Sequence, residues 1–184
     1  SFQVYYCDTT TENTFDLTKR QTAEGIPKFE SAPLIMSEIT EDEEAIYLNA
    51  QIIKKGRPFF HLRQRKFEMK LSLRSIYFTA DKLYFCYRLQ NKSNLPYTID
   101  FSRMYISDIQ KVKRTSLQQT EITPLYTSND ALIAGNSFID VVVTVKKFTI
   151  PDGKKFKVEF YEQSGGRNIS LSVKNRHIFH AKPL

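Results

Sequence analysis

The sequence predicts a mainly β protein: an antiparallel, immunoglobulin-like β-sandwich with one N-terminal helix docked on it. About seven segments of roughly six to ten residues alternate apolar and polar side chains, which is the period of a half-buried strand. Turn-forming residues separate these segments, and no helix intervenes between them. A hydrophobic content of 41% with 26% charged residues is typical of a globular domain.

The 184 residues divide into three parts by pattern. Residues 1–36 lack sustained periodicity and are predicted to be an extended acidic arm or linker. Residues 37–56 are predicted to contain the helix and residues 57–184 the sandwich. The opening residues Phe2–Tyr6 alternate like a strand without a partner, so we expect the chain to begin inside a larger protein, at the end of a preceding domain.

The predicted helix has signals at both ends. Thr40 can accept hydrogen bonds as N-cap with Glu43 as its capping-box partner, and the acids Glu41–Glu44 suit the positive helix N-terminus. Gly56 and Pro58 end the pattern. The apolar side chains form a broad face that we expect to dock on the sheet; they are Ala45, Leu48, Ile52, Ile46, Ala50 and Ile53.

The first strands follow at once. The segment from Phe67 to Leu73 alternates, and Ile76 and Phe78 have the opposite parity, which predicts a bulge near Ser75. Leu83–Leu89 is the next strand. Tyr97, Ile99 and Phe101 begin another, and Met104 and Ile106 again switch parity.

Three strands are predicted near the C-terminus. Residues 138–145 are β-branched and apolar on both parities, which is typical of a central strand covered on both sides. Phe156–Tyr161 and Ile169–Val173 alternate strictly, with a turn at Gly165 and Gly166 between them.

Charge is unevenly distributed along the chain. Residues 1–50 hold three basic and ten acidic residues, whereas residues 51–184 hold 24 basic and ten acidic ones. The acidic segment either lies over the basic domain or a basic partner, or is a solvated linker.

Residue types that support catalysis or metal binding are sparse. His177 and His180, read as strand residues, fall on opposite faces and cannot share an ion, and His61 has no nearby Cys or carboxylate. Cys7 and Cys86 are predicted to be peripheral on their strands; they can pair in an oxidising compartment or remain free. We therefore expect neither an enzyme nor a bound metal or cofactor.

Basic clusters are the best candidates for partner binding. Lys111, Lys113 and Arg114 lie in a predicted charged hairpin, and a second group comprises Arg63, Arg65 and Lys66. Such cations can dock an acidic protein, bind the phosphates of single-stranded nucleic acid, or simply keep an edge strand soluble. Nucleic acid is the weaker alternative, because most aromatic side chains occupy the apolar parity of strands.

Five runs of sequence resemble the TraN family of conjugative transposons from Bacteroides-type bacteria. They are Asn91–Phe101 (NKSNLPYTIDF), Lys113–Leu125 (KRTSLQQTEITPL), Phe148–Gly153 (FTIPDG), Val158–Glu162 (VEFYE) and Gly165–Asn168 (GGRN). The similarity extends in order over roughly residues 37–184 and corresponds to the C-terminal domain of longer members, so the runs are expected at strand and turn positions.

The resemblance implies a non-enzymatic assembly component of a conjugative, type IV secretion-like DNA-transfer apparatus in the cell envelope. Its expected location is periplasmic or outer-membrane-associated, similar in role to TrbG-like outer-membrane core subunits. The expected partners are other proteins of the apparatus, with oligomers only inside the assembly and no membrane span.

Overall fold

The computed structural model describes residues 41–109, 119–128 and 131–184. One long helix, α1, spans Glu41–Lys55, and a short one, α2, spans Asn175–Phe179. The strands are β1 Arg63–Lys66, β2 Met69–Phe78, β3 Lys82–Asn91, β4 Tyr97–Asp108, β5 Gln119–Glu121, β6 Tyr126–Thr127, β7 Leu132–Ile133, β8 Phe138–Lys146, β9 Lys154–Glu162, β10 Ile169–Val173 and β11 Lys182–Pro183.

The strands form two sheets. The first has the order β1-β2-β3-β8-β6, with β11 pairing parallel to the far end of β2. The second has the order β10-β9-β4-β5, and β7 also pairs with β4. Every other pairing is antiparallel.

Apolar side chains from both sheets meet in one core. Phe85 of β3 lies 5.1 Å from Phe156 of β9, measured between ring centroids, and Tyr87 lies 6.2 Å from Phe160. These four rings are fully buried or nearly so. The predicted antiparallel β-sandwich is therefore confirmed, whereas its immunoglobulin-like character stays a prediction.

The helix packs on the outer face of the first sheet, as predicted. Ile46, Ala50 and Ile53 are buried in a second apolar cluster, which is completed by residues of β3 and β8. Only half of the predicted apolar face is used, because Leu48 and Ile52 are exposed. The cap residue Thr40 lies outside the described residues, but the predicted C-terminus is confirmed: Gly56 N–H donates to the Ile53 carbonyl at 3.0 Å.

Helix packing overturns the prediction for Cys86. Its parity is opposite to the sandwich core, as the alternation indicates, but α1 covers that side and leaves the thiol fully buried. Burial raises the pKa of this free thiol. Cys7 lies outside the described residues, as do the predicted arm 1–36 and its opening strand.

Both predicted parity changes coincide with irregular pairing. The register of β2 with β3 shifts between Leu73 and Ser75, and that of β4 with β9 shifts between Ile99 and Ser102. The shifts let one strand continue while its side chains change faces. Phe101, which lies within this irregular stretch, is about half exposed and stacks on Tyr161, with a centroid distance of 4.5 Å.

The two C-terminal histidines do not lie on a strand, so the reason given for separating them is wrong. His177 belongs to α2, and its Nδ1 lies 3.1 Å from the Lys174 backbone nitrogen. His180 follows the helix, with Nδ1 2.6 Å from the Arg176 carbonyl oxygen. Burial lowers the pKa of His177.

Candidate functional site

A group of cations occupies the part of the first sheet's outer face that α1 leaves uncovered. Arg63 pairs with Ser72 and Arg65 with Lys70 in the β1–β2 register, so all four side chains share a face. Arg88 lies opposite Ser72 on β3 and faces the same way. We call the following set the basic face: Arg63, Arg65, Lys70, Arg88 and Lys92.

The cations of the basic face lie close enough to perturb one another. Burial lowers the pKa of the Lys70 ammonium, and four neighbouring charges lower it further. Those neighbours, in order of effect, are Arg65, Arg63, Lys92 and Arg88. Like charges gathered in this way favour binding of an anionic group, which would relieve their mutual repulsion.

One acid, Asp140 of β8, faces this group but is already engaged. Its carboxylate accepts from Arg74 Nη1 at 2.7 Å and from Arg88 Nε at 2.8 Å. Arg74 also donates to the carbonyls of Lys54 and Gly56 at 3.1 Å, which ties the end of α1 to the sheet. Asp140 thus serves the fold, and within the described residues no ion pair neutralises Arg63, Arg65, Lys70 or Lys92.

The hairpin of β1 and β2 places Lys66 differently from Arg63 and Arg65, with which it is grouped in the sequence. Phe67 and Glu68 both have positive φ, 52° and 57°, and form a two-residue hairpin turn. Alternation along β1 puts Lys66 on the opposite side of the strand from Arg65. Lys66 lines one cleft with Lys157 and Glu159 of β9 and another with Arg65 and Lys92, and its Nζ lies 4.6 Å from the centre of the exposed Phe67 ring. The predicted strand start at Phe67 is wrong, because β2 begins at Met69.

The structure thus assembles a different set from the predicted one. Arg63 and Arg65 come together on the basic face, and Lys66 lies at its border on the opposite side of β1. Lys111, Lys113 and Arg114 lie outside the described residues. Lys70, Arg88 and Lys92 were missed, because they are far from Arg63 in sequence. The sequence pattern does not predict β1 either, although it predicts β2, its partner in the hairpin.

The flanks of the predicted charged hairpin are described. β4 and β5 are consecutive and antiparallel, with Tyr105 opposite Glu121 and Ser107 opposite Gln119. β5 ends the main strand order of the second sheet. The described flanks thus lie at one end of this sheet, and residues 110–118 between them lie outside the described residues.

The outer face of the second sheet is also polar, but its charges are paired. Arg103 Nε lies 3.5 Å from Glu121 Oε1, and Lys157 Nζ lies 2.5 Å from Glu159 Oε1. The Tyr161 hydroxyl donates to Glu159 at 2.8 Å. These contacts leave little net charge to attract a ligand.

Among residues 41–109, 119–128 and 131–184, no group of three or more His, Cys, Asp and Glu side chains is placed to hold a metal ion. A cavity of about 400 Å³ opens beside the irregular part of β4, and its lining includes Ile99, Phe101, Val141 and Phe160. Among the described residues of that lining, Asp100 is the one with an ionisable side chain. In the same part of the chain, no helix is both long and apolar enough to cross a membrane.

A family model described as a domain of unknown function, DUF4138, matches residues 41–183. The chain belongs to this family. The match begins with α1 and ends with β11, so it covers the helix and both sheets. No curated protein matches the chain.

Three solved structures show a distant likeness. The GAE domain of yeast GGA1 is 13% identical, with 61% of this chain and 96% of that chain covered and a TM-score of 0.34. The sporulation control protein Spo0M from Bacillus subtilis is 10% identical, with 62% of this chain and 49% of that chain covered and a TM-score of 0.39. The archaellum periplasmic stator protein FlaG from Sulfolobus acidocaldarius is 9% identical, with 60% of this chain and 99% of that chain covered and a TM-score of 0.35.

Proposed function

We propose that this domain is a non-enzymatic assembly module that docks an acidic partner protein on its basic face. The observation that carries the proposal is the concentration of five cations on the sheet surface that α1 leaves uncovered, where the facing acid Asp140 is bound by Arg74 and Arg88. Such a surface attracts and orients a partner of opposite charge.

The cellular setting of the proposal comes from the TraN resemblance. On that basis we assign the module to a conjugative, type IV secretion-like DNA-transfer apparatus in the cell envelope, periplasmic or associated with the outer membrane. Its partners are other proteins of the apparatus. The extent of the resemblance, roughly residues 37–184, supports the assignment because it includes the whole described domain.

Fractionation with co-purification tests this proposal in cells with an active transfer apparatus. We expect the protein in the envelope fraction together with other transfer proteins. The triple variant Arg63→Gln, Arg65→Gln, Lys70→Gln should lose those partners, whereas the control Lys146→Gln, Lys174→Gln, Arg176→Gln makes the same charge change elsewhere and should keep them. A cytoplasmic protein that purifies alone contradicts the proposal.

The predicted cluster Lys111, Lys113 and Arg114 is a second docking candidate. Neutralising all three should reduce co-purification if these cations also contact an acidic partner. Unchanged assembly would leave them only the role of keeping an edge of the sandwich soluble.

Binding of single-stranded nucleic acid is a second candidate function. It is favoured by exposed Phe67 and Phe138 beside the cations, with the Arg88 guanidinium 4.0 Å from the Phe138 ring centre. Stacking on such rings and a cationic surface are what a single strand requires. A salt titration with an oligothymidylate decides: steep loss of affinity with salt supports this function, and no binding at low salt removes it.

A further inference from the structure

The basic face ends at β1, whose second edge is left unpaired by the part of the chain that the structure describes. β1 pairs with β2 on one side, and among the described residues no strand pairs with its other side. All four of its residues are exposed. An edge of this kind presents backbone N–H and C=O groups that can accept another strand.

The hairpin geometry identifies which backbone groups face that edge. Across a two-residue turn, Lys66 and Met69 form the hydrogen-bonded pair, and bonded positions then alternate along an antiparallel strand. Leu62, four residues before Lys66, fits this alternation because its carbonyl accepts from Leu73 N–H at 2.9 Å. The backbones of Gln64 and Lys66 therefore face β2, and those of Arg63 and Arg65 face outward.

The same two residues carry cations of the basic face. A strand added along β1 would bond to the backbones of Arg63 and Arg65, and every second side chain of that strand would lie beside their guanidinium groups. We propose that the occupant is an extended acidic segment of a partner protein, added to the first sheet as a further strand. This inference rests on the proposed function and specifies how its partner is held.

Charge argues for an acidic partner over a second copy of this chain. Two β1 edges brought together would place Arg63 and Arg65 of each copy beside those of the other, with no acid between them. Like charges directly opposite one another are destabilising in a sheet. The competing explanation is that these cations only protect the edge from aggregation.

A pair of variants separates the backbone contribution from the charge. Arg65→Pro removes both the charge and the outward N–H, while the bonds of Gln64 and Lys66 to β2 remain. Arg65→Gln removes the charge alone. Circular dichroism should show the same unfolding midpoint for both variants.

The probe is a capped ten-residue peptide of alternating glutamate and threonine. Its binding to the protein is measured by fluorescence anisotropy in low salt. A control peptide of alternating N-methylglutamate and proline has the same charge but lacks every backbone donor. We expect the threonine peptide to bind about tenfold more tightly, and Arg65→Pro to weaken it more than Arg65→Gln does. The amides of Arg63 and Arg65 should gain protection from hydrogen exchange when it binds.

Four results would overturn strand addition. They are equal binding of the two peptides, absence of binding, binding without protection of the two amides, and a dimer of the protein in sedimentation that Arg65→Pro abolishes. Aggregation of Arg65→Gln with unchanged peptide binding would support the protective role instead. Because the peptide comparison uses the wild-type protein, it remains decisive if Arg65→Pro fails to fold.

Co-purification in cells distinguishes failure of this inference from failure of the proposed function. If Arg65→Pro keeps its partners while the triple neutral variant loses them, docking on the basic face stands and strand addition is wrong. If both variants keep their partners, both proposals are wrong.

Discussion

The outer faces of the two sheets use their charged side chains in different ways. On the second sheet, cations stand next to acids: Arg103 beside Glu121, and Lys157 beside Glu159. On the first sheet, cations stand next to one another, and the facing acid Asp140 is held by two arginines. The acids of the second face are paired with cations beside them, whereas the first face retains positive charge that a partner can satisfy.

This difference separates charges that stabilise the fold from charges available for binding. Asp140 joins α1, β2 and β3 through Arg74 and Arg88, so it belongs to the fold although it lies among the binding cations. Burial and the neighbouring cations disfavour the charged form of Lys70 and so lower its pKa. A position that costs stability is expected where a surface is arranged for a ligand.

The largest expected effect is at Asp140. Replacing it with Asn leaves Arg74, which is largely buried, without its counter-charge, and we expect a loss of about 3 kcal/mol in the free energy of unfolding. Urea denaturation measures it. The matched change on the second sheet, Glu121→Gln, breaks an exposed pair and should cost less than about 1 kcal/mol. Equal losses at both positions would contradict the division between the two faces.

An intermediate effect is expected at Glu159, the central acid of the second face. Burial alone would raise the pKa of its carboxyl, but hydrogen bonds from Lys157, Tyr161 and Tyr105 lower it below the ordinary value. A lowered pKa contributes stability that is present above about 4.3 and is lost as the pH falls through the folded-state value.

Glu159→Gln tests this pH dependence. The variant should lose about 1 kcal/mol at neutral pH and show a flatter decline in stability between neutral and acidic pH. Urea unfolding across that range gives the measurement. Glu121→Gln, which removes an exposed acid of the same face, is the control. A decline for Glu159→Gln as steep as that of the wild type would refute the assignment.

The smallest effect is expected at Lys70. Its lowered pKa means that the charged form destabilises the fold at neutral pH, and that this penalty disappears as the pH rises toward the unfolded value of about 10.4. Lys70→Gln should therefore gain up to about 0.5 kcal/mol at neutral pH, less in high salt. Lys155→Gln on the second sheet is the control. A loss of stability in Lys70→Gln would show that the cations do not repel one another.

Local pattern was sufficient for much of the fold. The period of two located most of the long strands, the parity change located the irregularity at Ser75, and Gly56 marked the end of α1. These features depend on neighbours within a few residues, which the sequence displays directly. The short strand β1 could not be predicted, because Arg63–Lys66 contains no apolar residue and so shows no alternation of apolar and polar side chains.

The sequence by itself therefore determined the class of the domain, its helix and the positive charge of residues 51–184. Only the tertiary structure decided which cations meet, because lateral pairing of β1, β2 and β3 brings Arg63, Lys70 and Arg88 to one surface across long stretches of chain. It also decided that Cys86 is buried, since a strand's polar side becomes interior when a helix covers it. Alternation shows that a strand has two faces; what lies against each face is a property of the packed molecule.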